Sequence, residues 1–498
     1  MTSTAVASRA SFRRRADNVI LRWQARLDSS WSDRVLPWLF AAGLFVLLEL
    51  LSFAKARALD GTADLAGAMQ GTWLIHHGQD PVITATTGAH ILVPQASFIS
   101  YAVSGLTFVL PVQPALLLLQ SIALALAVVP IWRIARRLAN LRVGAAFTLV
   151  VVYALYPTMH NLNLAGFYPE TMALPALLYA AYFGLSNHWR RFVACCIFVV
   201  VCRADFGLAV AGLGVLVWSN GRKQEGRAVF CGGVLYTAIA TFVVQPHFGD
   251  GSFAHIGAFA AFGDSPGSVL WGLLVHPVQV LGAVFREQNF NLLVTLFAPV
   301  AFLPLLAPRY LLPVIPLQFL FLVAEVPESA VYGQQTVAIT AFVFLGTAFA
   351  LGKIGRMGVE KVVVDKRVLS VMLLAASLFF IRDAASSPYR TPWRWGGQDA
   401  ADAARLDAAE RIGPERSVRV SVSLLAIVAE RPRVYQLVTG PEPDAASAAD
   451  GVDAVVLDDR AVTRWTSIDR RIFAQGLESL GLRRVSSTEG IEVFIRGG

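Results

Sequence analysis

Residues 112–142, VQPALLLLQSIALALAVVPIWRIARRLANLR, decide how the chain is laid out. The apolar run 114–132 is long enough to span the roughly 30 Å hydrocarbon core of a bilayer. Arg133, Arg136, Arg137 and Arg142 follow it directly. Arginine and lysine collect in cytoplasmic loops of membrane proteins, so this run is expected to cross inward. The first apolar run, about 36–54, follows a basic tail, 1–34, that carries Arg9, Arg13, Arg14, Arg15, Arg22 and Arg26. That tail is expected to stay cytoplasmic, which sends the first helix outward and leaves 55–91 outside. If 92–110 also spanned, the four arginines after 132 would be exported. We therefore read 92–110 as a juxtamembrane or re-entrant helix on the outer side.

The composition agrees with this layout. Of 498 residues, 55% are hydrophobic and only 15% charged, against about 25% charged in ordinary soluble domains. Mean hydropathy is +0.57. A soluble globule, a disordered chain and a disulfide-stapled secreted domain are excluded. The net charge of +8 sits in short arginine clusters between apolar runs, with no basic stripe interleaved with aromatics, so no nucleic-acid partner is expected. Cys195, Cys196, Cys202 and Cys231 lie in apolar stretches without metal-ligand spacing and read as small buried hydrophobes. No cleavage site follows the first apolar run, so no cleaved signal peptide is expected.

Further crossings are expected at 143–157, 171–186, 228–245, 290–306, 310–325, 335–351 and 362–381. The stretch 192–218 has Arg203 and Asp205 in its middle. One crossing there would export Arg222, Lys223 and Arg227, whereas two short helices, 192–202 and 206–218, keep all three inside. The segment 269–285 is broken by Pro277 and is placed at the outer interface. The expected fold class is an α-helical polytopic membrane protein with about 9–13 membrane helices, juxtamembrane or re-entrant ones included. Its domains are the cytoplasmic segment 1–34, a transmembrane domain 35–382 and an extracytoplasmic α/β domain 383–498. In that tail, 398–412 and 467–480 read as helices, and SVRVSV, RVYQL, DAVVLD and GIEVFIR as strands. No glycine-rich phosphate fingerprint follows any of these strands.

Charged residues within a membrane domain are expensive and mark functional sites by default. Asp60 and Asp64 lie in the first outer loop, and His90 just before the juxtamembrane helix. His160, Tyr168 and Glu170 lie in the second outer loop, Arg203 and Asp205 at the hairpin turn. His247, Asp250 and His255 fall in the third loop, Tyr332 and Gln335 in the fourth. All are expected on one membrane face, where chance would spread them over both. A carboxylate can take a proton from a hydroxyl nucleophile. Arginine, tyrosine and histidine can hold a phosphate or a developing negative charge. Each residue also has a purely structural reading. Asp64 can cap a helix, Arg203 and Asp205 can form an ion pair, His90 can be a solvated loop residue, and Glu170 can complement a helix N-terminus. Trp38, Trp132, Trp189 and Trp218 fit an interfacial belt.

Several segments together resemble a bacterial membrane family catalogued as domain of unknown function 2079. ADLAGAMQGTWLIHHG is similar to that family's FDLGIFDQALWLLAHG, with Asp64, Leu65, Gln70, Trp73 and Gly78 matching and Met69 replacing an aspartate. GAHILVP resembles GDHFSPI through His90 and Pro94. GFYPETMALP resembles DFHPEALALP through Phe167, Pro169 and Glu170, with Tyr168 in place of histidine. CRADFGLAVAGLGV resembles KEDAGLVVAGLGL, with Asp205 matching, Arg203 for lysine and Ala204 for glutamate. FLPLLAPRYLLPVIP and SVRVSVSLLAIVAERPRVYQL resemble later segments, the second without the usual Pro-His pair at Ala426 and Ile427.

That family is similar in plan to GT-C-fold glycosyltransferases. The resemblance implies an enzyme that moves a sugar from a polyprenyl-phosphate donor to an extracytoplasmic cell-envelope glycan or glycolipid in the bacterial plasma membrane. Asp64 would be the base. Arg203, His90 and Tyr332 would hold the donor phosphate, Tyr168 would bind substrate, and Asp205, Glu170 and Gln70 would orient it. No ligand spacing demands a metal. The alternative is a non-enzymatic transporter or envelope-assembly scaffold. A transporter would be expected to show internal repeats, and none is evident.

Overall fold

The computed structural model describes residues 28–251, 253, 255–326, 333–358, 360–392, 395–438, 440 and 442–497. The tail arginines from Arg9 to Arg26, and Tyr332, lie outside the described residues. Among the described residues, six helices are long and apolar enough to cross a membrane: Ser30–Arg57 (α1), Val112–Leu138, Val143–Ala165, Lys223–Phe248, Thr336–Ile354 and Lys366–Arg390. They take in the crossings expected at 36–54, 114–132, 143–157 and 228–245 and nearly all of those at 335–351 and 362–381.

The other apolar stretches are shorter or broken, each for a local reason. Residues 92–110 form three brief turns, Leu92–Gln95, Ile99–Ser104 and Gly105–Phe108. Helix Trp189–Cys202 stops at Arg203, and Gly207–Ser219 resumes after one 3-10 turn. Pro266–Val275 and Pro277–Val284 meet at a 96° bend, because Pro277 has no N–H to give the preceding turn. The continuous crossings expected at 290–306 and 310–325 are corrected. Helix Glu287–Phe297 ends, Ala301 and Phe302 take left-handed φ of 52° and 57°, and short 3-10 turns lead to Ile315–Val323. Pro299, Pro304, Pro308 and Pro313 remove donors every four or five residues, which hydropathy does not register.

The membrane bundle has one continuous apolar core. Arg136 is buried within one end of the bundle, 1% exposed. It donates to Asp33 (2.6 Å) and Asp28 (2.7 Å), which compensates its charge. Trp132 is also buried and donates to Asp33 (3.1 Å), so it does not belong to an interfacial belt. Cys231 is exposed and Cys195 half-buried, a correction to the reading of four buried thiols.

The tail forms a five-stranded sheet. In chain order its strands are β1 (Val418–Val420), β2 (Val434–Gln436), β3 (Ala454–Asp458), β4 (Leu482–Thr488) and β5 (Ile491–Arg496). Spatially they run β2-β1-β3-β5-β4, with β2, β1 and β3 parallel and β5 antiparallel to both neighbours. Helices Ala400–Ile412 and Ser467–Ser479 flank the sheet. One face of the sheet shares an apolar core with Leu65, Ala66 and Met69 from the first loop. The tail therefore sits directly on that loop.

Candidate active site

Helix Ala63–His76 (α2) begins the first loop. Thr62 is its N-cap. The Thr62 hydroxyl accepts from the Leu65 N–H (3.2 Å) and donates to the Ala165 carbonyl (2.5 Å). Capping therefore falls to Thr62, and the Asp64 carboxylate in the first turn is free for other contacts. At Gly166 a Cβ would lie 3.1 Å from the Leu65 nitrogen. This close approach brings the GFYPE loop against α2.

The approach sets Tyr168 beside Asp64, the phenol donating to Oδ2 at 2.7 Å. Tyr168 is 7% exposed. Burial, and then the Asp64 charge, push its pKa up. The phenol therefore stays protonated and acts as a donor. Both side chains line a cavity of about 220 Å³. Its walls carry short neutral polar groups, among them Thr72, Thr86, Gln95 and Gln334. Gln95 Nε2 donates to Gln334 Oε1 at 2.7 Å across the cavity wall. Sequence reasoning missed these four. Thr86 precedes the turn Leu92–Gln95, Gln95 ends it and Gln334 stands just before helix Thr336–Ile354, and as neutral side chains they carry no charge signal in the sequence.

A second cluster lies behind the first. Arg203 makes a two-pronged contact with Asp205 (2.7 and 2.9 Å) and donates to Glu170 at 3.0 Å. Glu170 is fully buried, and its Oε2 has no hydrogen-bond partner among the described residues. Burial, the dominant influence, pushes its pKa up against the Arg203 charge. None of these three lines the Asp64 cavity. His255, which does line it, lies within electrostatic reach of Arg203 and Asp205.

The other sequence candidates sit elsewhere. His90 is buried, stacked on Phe248 with ring centroids 4.3 Å apart. Its Nδ1 accepts from the Leu92 N–H (3.2 Å), and its Nε2 is 3.5 Å from Asp80. Gln70 is fully buried. Its amide donates to Thr84 (2.8 Å) and the Pro432 carbonyl (3.2 Å) and accepts from the Ala85 N–H (2.9 Å). It clips the first loop to the tail and does not face the cavity. His160 belongs to a helix, where it contacts the Ala154 carbonyl (2.8 Å) and Ser386 (2.7 Å). Among the described residues no group of three or more His, Cys, Asp or Glu is arranged to hold a metal ion.

Residues 57–479 match a family model described as a predicted membrane protein, DUF2079. No curated protein matches the sequence. Among solved structures, ArnT from Cupriavidus metallidurans bound to undecaprenyl phosphate is similar. It is 12% identical with a TM-score of 0.50, covering 92% of this chain and 99% of that one. The arabinofuranosyltransferase AftD from Mycobacteria is 14% identical with a TM-score of 0.47, covering 92% of this chain and 41% of that one. At such identities the likeness to ArnT establishes the fold alone, a GT-C-like polytopic helical membrane protein with a small C-terminal α/β unit.

Proposed function

From the premise that the chain belongs to the DUF2079 family of predicted membrane proteins, we propose that it is a membrane glycosyltransferase. It moves a sugar from a polyprenyl-phosphate donor to a cell-envelope glycan or glycolipid outside a bacterial plasma membrane. The basic segment 1–34 is cytoplasmic, 35–382 spans the membrane, and 383–498 lies outside with the first loop. The observation that carries the reading is the Asp64–Tyr168 pair on the wall of a polar cavity in a GT-C-like fold.

Asp64 acts as the base that takes the proton from the acceptor hydroxyl as it attacks the sugar. Tyr168 occupies one carboxylate oxygen and leaves the other directed at the acceptor. The departing lipid phosphate needs charge stabilisation and no proton. We assign that role to Arg203, whose guanidinium Glu170 and Asp205 hold behind the cavity wall, so that it acts on the phosphate through its field and not by contact. Tyr332, two residues before the cavity residue Gln334 in sequence, is assigned to assist at the donor phosphate. The undecaprenyl phosphate bound by ArnT supports a polyprenyl carrier for this fold.

Asp64→Asn keeps shape and removes the base. In membranes given labelled lipid-phosphate sugars, transfer is expected to fall by roughly 10²- to 10⁴-fold. Undiminished transfer by a folded Asp64→Asn protein would remove the base assignment.

A further inference from the structure

At the far end of helix Thr336–Ile354 from Asp64 lies a second cavity, of about 430 Å³. Gln334, at the helix start, lines the Asp64 cavity, and Lys353, in its last turn, lines the second one. Nineteen helical residues rise about 28 Å, close to the thickness of the hydrocarbon core. The two cavities therefore sit at opposite membrane faces.

The second cavity is basic. Arg309 and Lys353 line it, both exposed. Arg309 donates to Ser219 and Asn220 (3.1 Å each), and Lys353 to the Leu306 carbonyl (3.2 Å). All these acceptors are neutral, and no carboxylate among the described residues pairs with either cation. Arg136 provides the contrast. It lies two residues before Leu138 of the same cavity wall and has two aspartates of its own. The fold compensates one cation at this end and leaves two others facing a cavity.

Two further features narrow the ligand. Tyr310 and Phe349, stacked at 3.7 Å, form an apolar floor. Leu306, which lines the cavity, and Phe302, Leu305, Leu312 and Ile315, which flank Arg309 in sequence, are each about half-exposed apolar residues. A free inorganic anion has no use for such a surface, whereas an acyl chain does. We infer that this cavity binds the phosphodiester headgroup of an anionic phospholipid, with Arg309 and Lys353 on the phosphate and an acyl chain along the Phe302–Ile315 surface. Anionic lipid of the cytoplasmic leaflet meets basic pockets between membrane helices in this way.

The test uses the full chain, purified and delipidated in neutral detergent, with unfolding followed by tryptophan fluorescence. Dioleoyl-phosphatidylglycerol, dioleoyl-phosphatidylcholine or inorganic phosphate is added at equal phosphate. Phosphatidylglycerol is expected to stabilise the protein at least tenfold more potently than phosphatidylcholine. Arg309→Gln with Lys353→Gln is expected to raise its half-saturating concentration roughly 10- to 30-fold. Should the pair of substitutions prevent folding, Lys353→Gln alone is expected to raise it about fivefold. Arg190→Gln with Arg191→Gln, an equal charge loss elsewhere, is expected to leave it unchanged. Equal effects of the two double substitutions would reduce the site to general attraction. Stabilisation by inorganic phosphate matching that by phosphatidylglycerol would overturn the lipid assignment.

Discussion

Tyr168 holds one oxygen of Asp64 at 2.7 Å, and its loss frees the carboxylate to rotate away from the acceptor. Tyr168→Phe is expected to lower transfer roughly 10- to 100-fold, as small misplacements of a reacting group do, with the unfolding temperature near wild type. A kinetic comparison with Asp64→Asn checks the order of the two losses. His90 gives a pH dependence. Burial, opposed by the Asp80 charge, lowers its pKa, and its Nδ1 is already used as an acceptor. Protonation breaks that contact. A histidine with a lowered folded pKa costs stability once pH falls below its unfolded value of about 6.5, since the unfolded state then binds the proton more readily. Melting temperatures taken from pH 7.5 to 5 are expected to fall for wild type and to fall less for His90→Phe. The sequence marked Asp64, Tyr168, Glu170 and Arg203 because charge and hydroxyl stand out in apolar surroundings. It did not reveal that Gln70 faces Pro432, because nothing local links residues 362 positions apart.

Among elements, the helix pair around Arg203 shows what hydropathy and charge can locate. Two charges in an apolar run force a turn, and the turn is at Arg203. Strand β4 shows the opposite. Its LRRVSST sequence is mostly exposed and lacks clean alternation, so only pairing with β5 makes it a strand. The contact between Gly207–Ser219 and Lys223–Ile239 was equally hidden. A Cβ on Gly233 would fall 2.4 Å from the Gly207 carbonyl oxygen, and one on Gly226 would fall 2.6 Å from that of Gly214. Small residues let membrane helices approach this closely. Gly233→Val is expected to push the helices apart and lower the melting temperature by several degrees or more, while Gly232→Val, where a Cβ meets open space, is expected to have little effect.

Across the whole molecule, the first loop and the tail act as one body. Their shared core and the Gln70 clip are joined by Gly61, where a Cβ would come within 2.5 Å of the Ala426 side chain. Gly61→Val is expected to loosen the tail, which limited proteolysis from the outer face would detect as faster cleavage near residue 400. This union also sets a timetable for assembly. Chains emerge from the ribosome at roughly 5–20 residues per second. The 362 residues between Gln70 and Pro432 therefore take roughly 20–70 s to synthesise. Throughout that interval helix α2 is already made but lacks the sheet that completes its core. A chain cut short before the tail carries the long apolar helices but leaves the first loop without its partner, so arrested translation products are expected to lack the proposed transfer activity.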